Sequence, residues 1–250
     1  MIIEHPGKKD IPKLRALWQE AFSDTDTFLD LFFTQIFAPE RALAVKEGET
    51  LLAALYWFDC LCGKDPYAYI YAVATKKEYR GKGHCRALMT KLHEEMENCG
   101  KCTVLVPADE ELRKFYARLG YKNFGGMDEI SIEAAGCPVA AERLSVDAYM
   151  EKRRQLLPDG GILQEGETKL LLADMLRFYG GEGWLLAGGC FENEWVFPEF
   201  LGDKNLLPGI LKVLEIPCGR ISMAGTTPFG MFRAGERDIS APSYFAFALD

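Results

Sequence analysis

Thr75-Lys76-Lys77-Glu78-Tyr79-Arg80-Gly81-Lys82-Gly83-His84-Cys85-Arg86-Ala87-Leu88 decides how the chain is read. Just before it, residues 66–74 alternate Tyr67, Tyr69 and Tyr71 against Ala68, Ile70 and Ala72, the two-residue period of a strand. Just after it, residues 86–98 set Ala87, Leu88, Leu92 and Met96 on one stripe, the period of a helix. A glycine-bearing loop between strand and helix presents unpaired backbone N–H groups and the positive end of the helix dipole, and glycine lets an anion come close. Such a loop reads as a pyrophosphate cradle, with Lys76, Lys77, Arg86 and Lys91 as further cations. A tight glycine turn on a basic surface fits the loop alone equally well. Spacing rejects two other phosphate loops. Gly83 is followed by His84 rather than by Lys and a hydroxyl, and position 86 is arginine where a dinucleotide fingerprint has its third glycine.

Residues 11–22 place Leu14, Leu17, Trp18 and Ala21 on one helical face, with Asp10 as N-cap and Pro12 in the first turn. A second helix is expected over 28–37, then strands over 41–46 and 50–60 around Glu47-Gly48-Glu49. Residues 103–106 read as a strand and 109–119 as a helix stopped by Gly120. Residues 121–124 and 128–132 read as a hairpin around Gly125-Gly126. The stretch 133–139 reads as a boundary, which places one unit at 1–134 and another at 140–250. In the second half, helices are expected at 147–157, 168–179 and 206–214, two strands within 183–200, and strands at 221–225 and 244–249. The class is therefore mixed α/β (α+β, mixed sheet), and the second half coarsely repeats the element order of the first.

The segment Tyr79–Leu88, followed by a helix, a strand and Phe115-Tyr116-Ala117-Arg118-Leu119-Gly120-Tyr121, resembles the GNAT superfamily of acetyltransferases over about residues 1–132. In that family the pattern Arg/Gln-x-x-Gly-x-Gly/Ala opens the helix that holds the CoA pyrophosphate. The resemblance implies that Arg80, Gly81, Lys82, Gly83, His84 and Cys85 form this site. It also implies that the backbone of Val73, Ala74 and Thr75 meets the pantetheine arm, and that Tyr116 lies close to the CoA sulfur. Acyl transfer to an amine needs an oxyanion donor and a proton for the departing thiolate. Tyr116 is the candidate proton donor, and a backbone N–H near Val73 or Thr75 the candidate oxyanion donor. The base is left open among Tyr69, Tyr71, Asp59, Glu40 and a water relay; each of these side chains reads equally as a core aromatic or a surface charge. Two positions depart from the family pattern: Cys85 stands where Gly or Ala is preferred, and Asp109 where many members have asparagine.

The resemblance implies transfer of an acetyl group from acetyl-CoA to a primary amine of a small molecule or peptide. Tyr116 together with the complete Arg80–Gly83 core favours catalysis over a CoA-binding sensor or a non-catalytic interaction module. The second half is expected to be a degenerate copy of the same fold that binds no CoA. Its Val196–Asn205 segment contains Pro198, Glu199 and Asp203 and only one glycine, a poor place for a pyrophosphate. Glu192, Glu194 and Trp195 there would suit a cationic acceptor.

Composition sets outer bounds. The 250 residues are 48% hydrophobic and 26% charged, and contain no apolar run long enough to span a bilayer. Residues 1–10 lack a secretory layout, so a cytoplasmic location is expected, with the eight cysteines reduced. Cys99-Gly100-Lys101-Cys102 follows a helix instead of opening one, which puts the dipole on the wrong side for a reactive thiolate. Cys60 and Cys62 do not turn that pair into a zinc framework by spacing alone, and no metal is expected. A net charge of −8 argues against nucleic acid and favours cationic partners.

Overall fold

The computed structural model describes residues 1–164 and 166–248. They gather into two compact units, one of residues 1–122 with 231–240, the other of 123–230 with 241–248. The first unit thus ends twelve residues short of the 1–134 read from sequence, and takes back a segment from near the end of the chain. The stretch 133–139 is held inside the second unit: Ala134 N–H donates to the Pro217 carbonyl, Ala135 N–H to Pro208 and Val139 N–H to Gly209.

The chain runs through β1 (Ile2–Glu4), α1 (Ile11–Phe22), α2 (Asp26–Leu31), β2 (Ala42–Glu47), β3 (Thr50–Cys62), β4 (Asp65–Thr75), α3 (His84–Asn98), β5 (Cys102–Leu105) and α4 (Glu110–Ala117). Strands β1 to β4 pair antiparallel in order, and β5 lies parallel to β4. Alternation along the central strands sorts side chains onto two faces. Leu55, Trp57, Ala68 and Ile70 pack with Leu88, Met89, Leu92 and Met96 of α3. The opposite face carries Tyr56, Phe58, Tyr69 and Tyr71, and meets Trp18 of α1. The Trp18 ring centroid lies 5.1 Å from Tyr56, 5.6 Å from Tyr71 and 4.6 Å from Phe32. Central strands buried on both sides explain why residues 51–58 show no polar alternation at all.

The second unit contains β6 (Lys122–Glu133), β7 (Glu142–Leu144), α5 (Val146–Leu156), β8 (Ile162–Gln164), α6 (Thr168–Met175), β9 (Arg177–Gly181), β10 (Trp184–Phe191), β11 (Glu194–Leu201), α7 (Leu207–Val213) and β12 (Cys218–Arg233). Strands β9, β10 and β11 are antiparallel, and β12 returns parallel to β11 after α7. The first unit has the same sequence of pairings through β2, β3, β4, α3 and β5. Residues 231–233 at the end of β12 belong to the first unit, where they pair antiparallel with Leu105, Val104 and Thr103 of β5.

Several local expectations change. Asp10 does precede α1, but its carboxylate accepts the Gly7 N–H and pairs with Lys46 at 2.8 Å instead of capping the helix. Residues 32–36 after α2 form a π-helical turn instead of continuing the α-helix. No hairpin forms at Gly125-Gly126. Both lie within β6, where a Cβ on Gly126 would meet the Gly225 carbonyl at 2.1 Å, so the glycine serves close backbone approach. The helix expected to Tyr179 stops at Met175, and 177–181 joins the sheet as β9. The strand expected at 221–225 extends over Cys218–Arg233. Of the strand expected at 244–249, Tyr244 makes one isolated bridge to Gly161, and Leu249 lies outside the described residues.

Candidate active site

The site is built where β4 ends. β4 pairs with β5 from Tyr67↔Cys102 to Tyr69↔Val104, and beyond Tyr69 its ladder among the described residues is with β3 alone. The β3 register slips between Ala54↔Ala74 and Tyr56↔Tyr71, so Leu55 faces two residues, Ala72 and Val73. This is a β-bulge, and its residue Ala72 has φ +47°, the left-handed region an alanine rarely enters. The bulge turns backbone groups of Ala72 and Val73 out of the β3 ladder, and the splay leaves the β5 side of Ala74 and Thr75 without a strand partner among the described residues while they stay paired with Ala54 and Ala53. Nothing in the sequence announced the bulge, because its residue is an alanine and not a glycine.

The chain then makes a 3-10 turn at Lys77–Tyr79 and passes through Gly81 (φ +76°) and Gly83 (φ +88°) into α3. Ala87 N–H is tied to the Gly83 carbonyl, so the N–H groups of His84, Cys85 and Arg86 precede the helical ladder and point out of its end. A Cβ placed on Gly81 or Gly83 would meet no atom within 4 Å. The space above both glycines is open, and a side chain there would fill it. His84 Nδ1 is a buried atom without a hydrogen-bond partner at this point. Positive φ, open space and free donors fit a phosphate group.

The cations of the motif divide. Arg80 folds back, its Nε donating to the Thr75 carbonyl at 3.1 Å, and Lys82 lies 4.7 Å over the Tyr79 ring. Lys76 pairs with Glu78, and Lys91 with Glu94 and Glu95. Cys85 turns inward against the α3 core, where burial pushes its thiol up to about 11. Its extra bulk over glycine is therefore taken up inside the fold and not in the loop.

Tyr116 is 6% exposed on α4, with its ring edge-on to Phe115 at 5.3 Å and to Tyr121 at 5.8 Å. The other motif tyrosine, Tyr121, is committed to the core. Its hydroxyl meets Thr103 Oγ1 at 2.9 Å and His93 Nε2 at 3.1 Å, and burial lowers His93 to about 4, keeping it neutral. Asp109 is the N-cap of α4, accepting the Leu112 N–H at 2.7 Å. Tyr69 and Tyr71 lie on the aromatic face of β4. Glu40 and Asp59 are brought elsewhere, to a cavity of about 400 Å³ lined also by Trp57, Glu95, Cys99 and Lys101. That cavity adjoins the last turn of α3, a 15-residue helix roughly 21 Å long, at the end opposite the glycine loop. None of the eight cysteines is in a disulfide, and among the described residues no group of three or more His, Cys, Asp or Glu gathers to hold a metal. No helix among them is long and apolar enough to cross a membrane.

In the second unit, the segment after β11 differs. Gly202 is followed by Asp203, which accepts the Asn205 N–H, then by a 3-10 turn and the seven-residue α7 with Pro208 in its first turn. A carboxylate and a proline stand where the first unit has glycines and free N–H groups.

Residues 3–124 match the acetyltransferase (GNAT) domain family. No curated protein matches the chain. Among solved structures, a GCN5-related N-acetyltransferase from Anabaena variabilis superposes with a TM-score of 0.73 at 15% identity, covering 93% of this chain and 72% of its own. One from Kribbella flavida gives 0.71 at 16% identity, covering 92% and 70%. A third, from Sphaerobacter thermophilus, gives 0.51 at 10% identity, covering 92% and 93%. At these identities the likeness speaks for the fold, which extends over both units. The glycine loop, the splayed β4 and the family match over the same residues make residues 3–124 a GNAT acetyltransferase domain.

Proposed function

We propose that the chain transfers an acetyl group from acetyl-CoA to a primary amine of a small molecule or peptide, with the cofactor held by Val73–Thr75 and Arg80–Cys85. The observation that carries this reading is the open space above Gly81 and Gly83 at the end of a bulged, splayed β4. In this reading the loop N–H groups bind the pyrophosphate, and a backbone N–H of the bulge polarises the thioester carbonyl. The Tyr116 phenol supplies a proton to the departing thiolate. The net charge of −8 supports a cationic acceptor, and a cytoplasmic setting, where the cysteines stay reduced, belongs to the same reading.

The second unit is proposed to be a degenerate copy that binds no CoA, supported by its repeated pairing order and by Asp203 and Pro208 after β11. Calorimetric titration should find one acetyl-CoA per chain, and Gly83→Val should weaken it by on the order of a hundredfold, since two or more charge-assisted hydrogen bonds are blocked. Valine at φ +88° is also strained by about 1–3 kcal/mol, so the melting temperature is read alongside. Unchanged affinity would refute the cradle, and a second equivalent surviving in Gly83→Val would refute the degenerate assignment.

Tyr116→Phe preserves the packed ring and removes only the hydroxyl. Turnover at saturating acetyl-CoA should fall about a hundredfold or more while affinity holds. Thiol release across an amine panel reads this directly; an unaltered rate clears Tyr116. Binding without turnover on any amine would instead favour a CoA sensor.

A further inference from the structure

We propose that Glu20 is a positioning residue for the glycine loop, setting where its donors stand relative to the end of β4; this rests on the cofactor reading above. Lys76 N–H still reaches back to the β3 strand, donating to the Leu52 carbonyl at 2.8 Å. Lys77 N–H is the first to leave the sheet, and it donates to Glu20 Oε1 at 2.6 Å across 57 residues of sequence. From there its backbone hydrogen bonds are internal, through Tyr79 N–H to Lys76, Arg80 N–H to Lys77 and Arg80 Nε to Thr75, while the Tyr79 ring packs against the core. Among the described residues, Glu20 is thus the side chain from outside the loop that hydrogen-bonds its backbone. It stands on a rigid mount, since Leu14, Leu17 and Trp18 of the same helix are buried.

Charge makes this carboxylate informative. Glu20, Lys76, Lys77 and Glu78 line a cavity of about 370 Å³ beside the start of the loop. A negative charge there opposes the approach of a phosphate-bearing ligand. As a mere surface charge, Glu20 would therefore weaken binding. As an acceptor for Lys77 N–H it strengthens binding by holding the donors in place. These two roles separate in two variants, because glutamine keeps an acceptor oxygen and loses the charge, whereas alanine loses both.

The experiment is an acetyl-CoA titration of the full-length wild type, Glu20→Gln and Glu20→Ala, with amide hydrogen exchange at Lys77 measured in the free proteins. Glu20→Ala should weaken acetyl-CoA about tenfold, the size of one hydrogen bond to a charged group, and raise KM rather than lower kcat. Glu20→Gln should restore affinity to within about twofold of wild type or tighter. Lys77 exchange should quicken in Glu20→Ala and stay slow in Glu20→Gln. Equal or tighter binding by Glu20→Ala overturns the proposal, as does Lys77 exchange that is unchanged in that variant. Failure of the wild type to bind acetyl-CoA would instead overturn the cofactor reading, and this inference with it.

Discussion

Arg153→Ala should destabilise the second unit by about 3–5 kcal/mol, because it strands a buried carboxylate. Arg153 on α5 and Glu199 on β11 are both fully buried, and the Arg153 Nε reaches the two carboxylate oxygens at 3.0 and 2.9 Å. Tyr149 and Tyr244 donate their hydroxyls to the same carboxylate at 2.8 and 3.2 Å, and both phenols are held far above their ordinary range by burial and the Glu199 charge. The guanidinium also donates Nη1 to the Ile162 carbonyl and lies 5.0 Å over the Phe247 ring. Alanine leaves the Glu199 carboxyl group in an apolar interior without its cation and with only two phenols beside it. The network is not perfectly satisfied, however, since Arg153 Nη2 has no partner. The double variant Arg153→Met with Glu199→Met should therefore lose less than Arg153→Ala, as apolar replacement of a whole buried pair often does. Urea unfolding measures both; a loss below about 1 kcal/mol for Arg153→Ala would show that the pair is dispensable.

A chain cut to residues 1–134 should fail to fold, although it contains the whole region that matches the GNAT family. The first unit is completed by residues 231–240, which such a chain lacks. Met231 is 1% exposed in the α3 core and pairs with Leu105. Arg233 meets Glu97 at 2.6 Å, and Arg237 meets Asp65 at 2.6 Å while donating to the Gly100 carbonyl. Without this segment, β5 becomes an open edge with exposed N–H and C=O groups beside an uncovered core, a template for aggregation. Circular dichroism and thermal melting should show no cooperative transition for 1–134. A soluble, cooperatively folding fragment with full acetyl-CoA affinity would prove the returning segment unnecessary.

The elements of the first unit from α1 to α4 were legible because their causes are local. Periodicity marked α1, and a glutamate-glycine-glutamate turn marked the β2–β3 connection. The tyrosine alternation of β4 was visible as strand, and the structure shows its physical origin: one face meets α3, the other the aromatic residues around Trp18. The glycine loop was legible because φ near +80° excludes almost every other residue. Errors came where glycine had another cause. Gly125-Gly126 reads as a turn, yet the backbone of Gly225, far away in sequence, is what requires the missing Cβ of Gly126.

Short windows of sequence sufficed for the order of helices and strands from α1 to α4, the glycine loop between β4 and α3, and the FYxxxGY motif, whereas β1 and the continuous β6 were not read from them. Which groups meet is set by tertiary packing. It sent Glu40 and Asp59 to the far end of α3, turned Cys85 into the core, committed Tyr121 to Thr103 and His93, and brought Glu20 to Lys77. It also returned residues 231–240 to the first unit and bulged β4 at Ala72. Contacts between residues far apart in the chain depend on strand register and packing, and no local periodicity records them.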